Sequence, residues 1–528
     1  MLKFRLLKYL RIVVSLFVLA GFLAGFSSLA VWCGEAAKGE FLPSFLRALT
    51  RFSIVSLVLF AVVAASALLA GRFYCSFCCP LGVMQDIFAR LGRLVSFNRF
   101  RYKLQPNLKR TRCLVLLIAV LLALGGWIVP LGLLDPYSLF GRNAAGVGQA
   151  LFIEGNNSLY GRVDSVVPLE PRPEVPLLPA ALAGGLLLAA ALAGGLLLAV
   201  LGAAAYRGRI FCNTLCPVGA VLGLLARRAF FPLGLDPDKC MRCGQCVKVC
   251  KAGCIDVRNR RLDTERCVAC MNCGAVCRFG AIRFGRRPEK EVPPEEPKQE
   301  VDRGRRAFLA AAGISAALAL PAGRLIRHSA SSGKAAGGVP PVMPPGAGSR
   351  DEFLRRCTGC GLCIANCTGH TLKPAFLEYG LAGMGQPVLS FEVGKCEFEC
   401  RNCSNLCPTG ALKKLTADEK HHCRIGVVRY YRERCVVVTD GTSCGACAEH
   451  CPTGALQMVP YRDHLTIPQV VEELCIGCGC CQYICPVSGA EGKAVMVHGV
   501  AEQTRAADPH RVLEKTETEQ PETEEFPF

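Results

Sequence analysis

Cysteines recur along the 528-residue chain in short runs with regular gaps, and the chain contains 34 of them. The first two runs share the spacing C-x2-C-x2-C-x3-C: Cys240, Cys243, Cys246 and Cys250, then Cys267, Cys270, Cys273 and Cys277. In this spacing three thiolates on a tight loop bind three irons of one [4Fe-4S] cluster, and the fourth cysteine binds the neighbouring cluster. The spacing therefore predicts a two-cluster ferredoxin module.

The two runs are expected to exchange their last cysteines. The predicted ligand sets are Cys240, Cys243 and Cys246 with Cys277, and Cys267, Cys270 and Cys273 with Cys250. A zinc ribbon needs only two C-x2-C pairs, so it leaves the third and fourth cysteines of each run without a role. Lys251 and Arg278 stand where proline usually follows the fourth cysteine, and their positive charge is expected to raise the cluster potentials. Cys254 has no place in this scheme.

Four further groups of four cysteines follow between residues 351 and 500. They are Cys357, Cys360, Cys363, Cys367; Cys396, Cys400, Cys403, Cys407; Cys435, Cys444, Cys447, Cys451; and Cys475, Cys478, Cys481, Cys485. The hexapeptide CPTGAL occurs at 407–412 and at 451–456, which indicates duplicated ferredoxin halves. These groups suit four clusters, so the sequence predicts about six [4Fe-4S] clusters in all. Cys423 and Cys480 are left over, although Cys423 is an alternative ligand because the second and third groups have irregular spacings.

Two copies of the motif C-x3-C-P stand apart from these groups, at Cys75–Pro80 and Cys212–Pro217. A cysteine just before a helix start lies at the positive end of the helix dipole, which favours the thiolate. Cys75, Cys79, Cys212 and Cys216 are therefore predicted to form redox dithiols or to ligate a metal or cluster. The alternative is that each Cys-Pro pair only packs a tight turn. The apolar residues after Pro80 fall at helical spacing, so that segment is a candidate for a helix along the membrane surface.

Four uncharged hydrophobic runs fill most of the first 205 residues: Ile12–Trp32, Phe52–Gly71, Cys113–Leu134 and Leu177–Ala205. A helix needs about 20 residues to cross about 30 Å of hydrocarbon. We therefore predict a membrane all-α domain with four transmembrane helices over residues 1–235. The cysteine groups then predict α+β ferredoxin-like [4Fe-4S] domains, with two clusters at 236–285 and four at 351–500.

Basic residues are concentrated before the first hydrophobic run, between the second and third, and after the fourth, whereas the other two loops are nearly neutral. Because cytoplasmic loops carry an excess of Lys and Arg, the N-terminus and the first ferredoxin domain are predicted to face the cytoplasm. The net charge of +19 thus lies largely beside membrane segments, and no nucleic-acid motif appears. The predicted location is the inner (cytoplasmic) membrane, with several spans.

Arg305 and Arg306 precede Phe308, Leu309 and a modest apolar run, which resembles a twin-arginine export signal at 303–325. This segment is also a candidate fifth membrane span, with a short buried or surface helix as the alternative. Export would place the second cluster domain on the exoplasmic (periplasmic) side. Composition also predicts three connecting segments: a linker at 286–302, a flexible tether at 326–350 and an acidic disordered tail at 501–528.

Several kinds of chemistry are excluded by what the sequence lacks. No histidine precedes His328 and no C-x-x-C-H occurs, so neither haem ligation by imidazole in the hydrophobic runs nor covalent c-type haem is expected. No acid–base or nucleophile constellation stands out, so no bond-breaking active site is assigned. We therefore predict that the protein transfers electrons. The clusters carry the redox chemistry, and the protein tunes their potentials through spacing, hydrogen bonding and burial.

These motifs together resemble two known families. Residues 1–285 resemble the NapH-type membrane ferredoxins, which have four spans, two cytoplasmic C-x3-C-P motifs and a dicluster module. Residues from Arg303 onward resemble the NapG/MauM-type polyferredoxins, with a twin-arginine leader, the sequence Pro344–Ala347 and four clusters. The resemblance implies a fusion of two normally separate partners. It also implies a quinol dehydrogenase function, with quinol as electron donor and an exoplasmic redox protein as acceptor.

The resemblance implies a ligand pairing for the four C-terminal groups. It joins Cys357, Cys360, Cys363 with Cys485; Cys475, Cys478, Cys481 with Cys367; Cys396, Cys400, Cys403 with Cys451; and Cys435, Cys444, Cys447 with Cys407. Two other functions stay open. One is an accessory ferredoxin that reduces metal during maturation, similar to oxidase-assembly factors, and the other is an electron relay confined to the cytoplasm.

Overall fold

A computed structural model describes residues 2–27, 31–95, 102–159, 186–285, 298–331, 340–488 and 492–508. The N-terminal region is helical. Its α-helices are α1 (Leu2–Phe26), α2 (Phe41–Arg51), α3 (Ile54–Ala70), α4 (Tyr74–Phe77), α5 (Pro80–Val95), α6 (Lys109–Leu124), α7 (Val129–Leu134), α8 (Pro136–Asn143), α9 (Gln149–Leu159), α10 (Leu186–Arg207), α11 (Ile210–Thr214) and α12 (Pro217–Ala226). A 3-10 helix at Val31–Gly39 and a π-helical turn at Ala144–Gly148 lie between them.

The first ferredoxin module follows directly and repeats one small unit. Strand β1 (Leu233–Leu235) pairs antiparallel with β4 (Ile282–Phe284), and β2 (Ile255–Asp256) pairs antiparallel with β3 (Arg261–Leu262). Helices α13 (Gln245–Val249) and α14 (Asn272–Val276) each follow a cysteine-rich loop and pack against each other. The two cysteine runs are therefore held side by side.

A 34-residue helix, α15 (Lys298–Ser331), connects the two cluster-bearing regions. It crosses α6 closely where both chain segments have glycine. A Cβ on Gly125, the residue that follows α6, would lie 3.1 Å from the Cα of Gly323, so the backbones approach closely at this crossing. Small residues permit such close approach between helices in membranes.

The second module contains the remaining α-helices and β-strands. They are α16 (Arg350–Arg356), α17 (Leu362–Ala365), β5 (Leu372–Pro374), β6 (Pro387–Leu389), α18 (Asn402–Leu406), α19 (Ala417–His421), β7 (Cys423–Tyr430), α20 (Val436–Thr439), α21 (Ala446–Glu449), β8 (Leu456–Pro460), β9 (Thr466–Val470), α22 (Cys480–Ile484) and β10 (Val495–Arg505). The strands form three antiparallel pairs, β5 with β6, β7 with β10 and β8 with β9.

The second module is larger than the sequence predicted at both ends. Met343 and Ala347, expected in a flexible tether, are buried in its core. Gln503, expected in a disordered tail, lies in β10 and donates a hydrogen bond to the carbonyl of Pro344 at 2.9 Å. The two segments order each other, because each satisfies the backbone polar groups of the other. Residues 286–297, 332–339 and 509–528 lie outside the described residues.

Two described helices, and not the predicted four, are long and apolar enough to cross a membrane: α1 and Ala307–Ile326 within α15. The second and third hydrophobic runs form helices of 17 and 16 residues, α3 and α6. The third run is interrupted because Gly126 takes φ 97°, after which the chain restarts as α7. Residues 177–185 of the fourth run lie outside the described part.

Helix α1 contacts both cluster-bearing modules, one at each end. Near its start, Phe4 stacks on Phe284 of the first module with ring centroids 5.9 Å apart. Near its end, the carbonyl of Gly25 accepts a hydrogen bond from Asn366 Nδ2 of the second module at 2.9 Å. At about 1.5 Å per residue the two contacts are separated by about 32 Å along the helix. The modules therefore lie at opposite ends of the helical domain.

Candidate functional site

The first module brings a predicted ligand set together. Burial raises the pKa of the Cys273 thiol well above its usual range, and the neighbouring Cys270, Cys267 and Cys250 raise it further. Cys250 thus joins the second run, as its spacing predicts. In the other run, Cys246 has Cys240 and Cys243 as neighbours, and burial raises the pKa of Cys246 to about 11. Bound iron stabilises the thiolate form of such buried cysteines.

Cys254, which the sequence left without a role, lies against this set. Its Sγ is 3.6 Å from Cys250 Sγ, and its side chain is buried. This hydrogen bond lowers the pKa of Cys250 to about 7. Hydrogen bonds to ligand sulfurs stabilise the more negative, reduced state of a cluster. With a cluster bound, Cys254 would act through the ligand Cys250 by this hydrogen bond.

Replacing Cys254 with alanine is expected to lower the reduction potential of one cluster in the first module without loss of iron. A hydrogen bond worth about 1 kcal/mol corresponds to roughly 40 mV for a one-electron couple. Potentiometric EPR titration of purified Cys254→Ala beside wild type measures the shift. Unchanged potentials in a fully loaded variant would rule out this role.

The second module groups its cysteines differently from the pairing that the family resemblance implied. Cys451 lines one pocket with Cys475, Cys478 and Cys481. A second pocket is lined by Cys485 together with Cys435, Cys444 and Cys447. Each of these two groups therefore receives its fourth cysteine from the other, as in the first module.

The other two groups follow the same rule. Besides burial, the nearby Cys360, Cys357, Cys407 and Cys403 raise the pKa of Cys363. For Cys403 the corresponding neighbours are Cys396, Cys367 and Cys400. The structure therefore does not bring together the implied partners, which are Cys485 with the first group, Cys367 with the fourth, Cys451 with the second and Cys407 with the third. The structural reason is local, because α17 packs on α18 and α21 packs on α22. The sets by structure are Cys357, Cys360, Cys363, Cys407; Cys396, Cys400, Cys403, Cys367; Cys435, Cys444, Cys447, Cys485; and Cys475, Cys478, Cys481, Cys451.

The set of Cys357, Cys360, Cys363 and Cys407 is the one that meets the helical domain. The Arg142 guanidinium of α8 donates to the carbonyl of Thr358 at 2.6 Å, and Arg47 of α2 donates to the carbonyl of Cys407 at 3.2 Å. Gly141 packs so closely on the carbonyl of Cys360 that a Cβ there would clash with it. The helical domain thus presents both hydrogen-bond donors and a tight glycine contact to this cluster loop.

The two C-x3-C-P motifs form a symmetric pair inside the helical domain. Arg72 donates to the carbonyl of Cys212 at 3.0 Å, and Arg209 donates to the carbonyl of Cys75. The amide of Gly82 donates to Cys79 Sγ at 3.4 Å, and the amide of Gly219 donates to Cys216 Sγ at 3.2 Å. Each repeat therefore holds the first cysteine of the other and caps its own second cysteine.

The four predicted cysteines of the motifs are buried, which changes the expectation of thiolates. Burial raises the pKa of Cys79 and Cys216 well above the usual range, so it outweighs the helix dipole that favours the thiolate. Helix α5 is buried over its first half, whereas its second half exposes Leu91 and Leu94, so its position along a membrane surface stays a prediction. Its Val83 belongs to a core with Phe22 and Tyr137, whereas Asp86 is buried farther along.

Asp86 joins three cations from different parts of the chain. Its carboxylate lies 2.8 Å from Arg11 of α1, 2.8 Å from Arg209 and 3.3 Å from Lys251 of the first module. All four side chains are at most 10% exposed. The three cations overcome the effect of burial and hold the pKa of Asp86 far below its usual range. The carboxylate therefore ties the first module to the helical domain.

Glu40 is a buried carboxyl on the other side of the C-x3-C-P motifs. It accepts a hydrogen bond from the Tyr74 hydroxyl, and burial raises its pKa to about 8. The folded protein therefore binds a proton at Glu40 that the unfolded chain releases above about pH 4.5. Stability is expected to fall as pH rises from about 4.5 to about 8. Thermal unfolding in detergent should show this slope in wild type and a flatter one in Glu40→Gln; equal slopes would contradict the assignment.

The donor chemistry of these sites fits clusters. Within the described ranges, no group of three or more His, Cys, Asp or Glu side chains could hold a metal ion, and this includes the ferredoxin groups. Cluster thiolates bind different irons of one cubane, so they do not converge on a single ion. Sulfur ligands grouped in fours are the donor set that [4Fe-4S] clusters use.

Comparisons with known families agree with this chemistry. A family described as a 4Fe-4S binding domain matches residues 52–98 and 186–233, and a second with the same description matches 234–256 and 261–283. A 4Fe-4S dicluster domain matches 442–489, and a further 4Fe-4S binding domain matches 355–379. The prediction of several [4Fe-4S] ferredoxin domains is confirmed. No solved structure matches the chain.

Similarity to individual proteins identifies the family of the chain. The methylamine utilization ferredoxin-type protein MauM of Methylorubrum extorquens is 33% identical over 165 residues, which are 28% of this chain and 70% of MauM. The chain belongs to the MauM ferredoxin-type family. Besides MauM, the ferredoxin-type proteins NapF and NapG of Escherichia coli K12 are 28% and 30% identical. Their alignments cover 30% and 27% of this chain, and 87% and 65% of NapF and NapG. Like its MauM and Nap relatives, the chain is an iron–sulfur electron-transfer polyferredoxin.

Proposed function

We propose that this protein carries electrons across a membrane, from quinol to a redox protein on the exoplasmic side. The observation that carries the proposal is the placement of the two modules. Helix α1 contacts the first module at Phe4 and the second at Gly25. The separation of about 32 Å matches the hydrocarbon thickness of about 30 Å.

The direction of insertion follows from charge. Arg11, Arg112 and Lys251 lie at the end that holds the first module, where they pair with Asp86 and Glu265. Basic residues mark the cytoplasmic ends of membrane helices. This charge distribution supports a cytoplasmic first module and an exoplasmic second module. In this arrangement α1 and the Ala307–Ile326 segment of α15 are the two described helices long and apolar enough to cross the membrane.

Helix α15 supplies the connection between the two sides. Its Ala307–Ile326 segment is long and apolar enough to span, and it packs against α6. At its C-terminal end Ile326 packs on the core of the second module. The adjacent Arg305 and Arg306 then mark the cytoplasmic end, which agrees with their resemblance to an export signal. A route that exports folded domains suits a module that needs cysteine-bound clusters.

The chain supplies ligands for about six clusters, two in the first module and four in the second. When bound, [4Fe-4S] clusters accept and release single electrons. The residues around them set burial and hydrogen bonding: Arg142 and Arg47 hold the loop of Cys360 and Cys407 against the helical domain. In the proposed route, electrons enter the second module at the cluster that this loop binds. The relatives named for methylamine utilization support an electron-transfer role.

Quinol-dependent reduction of the clusters tests the proposal. In membrane vesicles that contain the full chain, a quinol analogue is expected to bleach the visible absorbance of the clusters as far as dithionite does. Arg142→Gln provides the matched comparison, because it removes the donor to Thr358 while leaving every cysteine in place. Slower reduction of the second module is expected in this variant. Full bleaching by dithionite with none by quinol would refute quinol as the donor.

A further inference from the structure

The two C-x3-C-P repeats enclose one site that neither repeat completes alone. Cys75 and Cys79 come from the first repeat and Cys212 and Cys216 from the second, and each is only 3–4% exposed. Arg72 bridges the repeats, because its Nη2 lies 3.8 Å from Cys75 Sγ and donates to the carbonyl of Cys212 at 3.0 Å. All four cysteines belong to one buried core cluster.

Arg72 brings a positive charge to the site, where it donates to Asn213 Oδ1 at 2.9 Å and to the carbonyl of Cys212. Arg72 is fully buried, and among the described residues no carboxylate forms an ion pair with it. A buried, unpaired guanidinium is strongly destabilising unless an anion meets it. Arg209, the equivalent residue of the second repeat, pairs with Asp86. Both arginines donate to a cysteine carbonyl of the other repeat, but only Arg209 has a carboxylate partner.

Three hydrogen-bond donors at this site also lack acceptors. They are Arg72 Nε, Arg209 Nη2 and Gln85 Nε2, and all three side chains are fully buried. Gln85 lies at the thiols, because its Oε1 is 3.5 Å from Cys212 Sγ. Buried donors are almost always satisfied in native proteins, so an acceptor that is not part of the polypeptide is indicated. That acceptor must be anionic or rich in lone pairs.

We propose that Cys75, Cys79, Cys212 and Cys216 ligate one further [4Fe-4S] cluster, shared between the two repeats. A cluster bound by four thiolates is anionic and presents sulfur acceptors, which matches the unpaired Arg72 and the three free donors. Each family match over 52–98 and 186–233 contains only two motif cysteines of this site, so one repeat alone cannot supply four ligands. The amides of Gly82 and Gly219, which already donate to Cys79 and Cys216, supply further hydrogen bonds to ligand sulfur.

The shared cluster would stand between the two modules. On one side, Asn213 Nδ2 donates to the carbonyl of Ala252, two residues beyond the ligand Cys250. On the other side, α5 continues from Cys79 into the core that contains Val83 and Cys360. A relay here lets single electrons pass through the helices without haem. This relay role rests on the proposed function, whereas occupancy of the site does not.

Iron and acid-labile sulfide in the purified full-length protein test the proposal. Wild type is expected to contain about 28 iron atoms per chain, against about 24 if only the ferredoxin groups are loaded. Cys79→Ser and Cys216→Ser should each lose about four iron atoms and one EPR component, and the double variant should lose no more. Cys78→Ser changes an exposed cysteine of the same motif and should match wild type.

Two results would overturn the shared cluster. One is about 24 iron atoms in fully loaded wild type, a measurement that does not depend on whether any variant folds. The other is wild-type iron and EPR in the Cys79 and Cys216 variants. Neither result bears on quinol oxidation, which the quinol-dependent reduction assay tests separately. Conversely, full iron content without quinol oxidation would contradict the proposed function and not the site.

Discussion

Replacement of Asp86 by asparagine is expected to lower the free energy of unfolding by about 3–5 kcal/mol. The carboxylate is the common partner of Arg11, Arg209 and Lys251, and all of these side chains are buried. Asparagine keeps the shape but leaves the cations without a counter-charge. Because Arg11 lies on α1 and Lys251 in the first module, the loss should also loosen that module from the helices. Thermal unfolding in detergent, together with protease sensitivity of residues 234–285, measures both effects.

Glu472→Gln is the matched control, since its pair with Arg429 is more than half exposed and should contribute less than about 1 kcal/mol. The pH dependence has a defined sign. The pKa of Asp86 is lowered on folding, so its contribution is present above the unfolded value of 3.8 and is lost only in strong acid. Equal stability of Asp86→Asn and wild type at neutral pH would show that the four groups do not act as one network.

Paired cysteine variants are expected to separate the two possible ligand arrangements of the second module by their iron content. Cys363→Ser should remove one cluster, about four iron atoms. Adding Cys407→Ser should remove no more, because both residues serve the same cluster in the structure. Adding Cys485→Ser instead should raise the loss to about eight, because Cys485 lines a different pocket.

The arrangement implied by family resemblance gives the reverse order, with the Cys363 and Cys485 pair costing about four iron atoms and the Cys363 and Cys407 pair about eight. Replacement of Cys423, which lies near Gln503 and away from the pockets, serves as the control. Iron content of Cys423→Ser should equal that of wild type. Iron losses from two substitutions at the same cluster do not add, whereas losses from substitutions at separate clusters do.

Cysteine spacing was sufficient to find the ferredoxin groups, because ligand geometry on a short loop is a local property. The fourth ligand of each cluster, by contrast, is not determined by the local sequence. It depends on which loops pack together, and in the second module neighbouring groups such as those of Cys363 and Cys403 do so through α17 and α18. Hydropathy likewise found the apolar runs, but it could not show that Gly126 takes a left-handed conformation and ends the third run early.

The C-x3-C-P site shows the same limit. Its motifs were visible in the sequence, yet Arg72 and Asn213, which hold the two repeats together, are 141 residues apart. Nothing in the local composition marks Arg72 as a fully buried residue. Likewise, the sequence shows only that Cys254 lies outside the regular cysteine spacing, and not what it contacts. Charge and hydrogen-bond satisfaction become visible only when the repeats are brought together.

Protease accessibility of a doubly tagged full chain tests the central claim most directly, namely that the two modules lie on opposite sides of a membrane. One epitope precedes Met1 and a second follows Phe528, and intact spheroplasts are treated with a protease that does not cross membranes. The account predicts that the C-terminal tag is removed while the N-terminal tag survives until the membrane is opened. Protection of both tags in intact spheroplasts, with digestion of both after lysis, would contradict it.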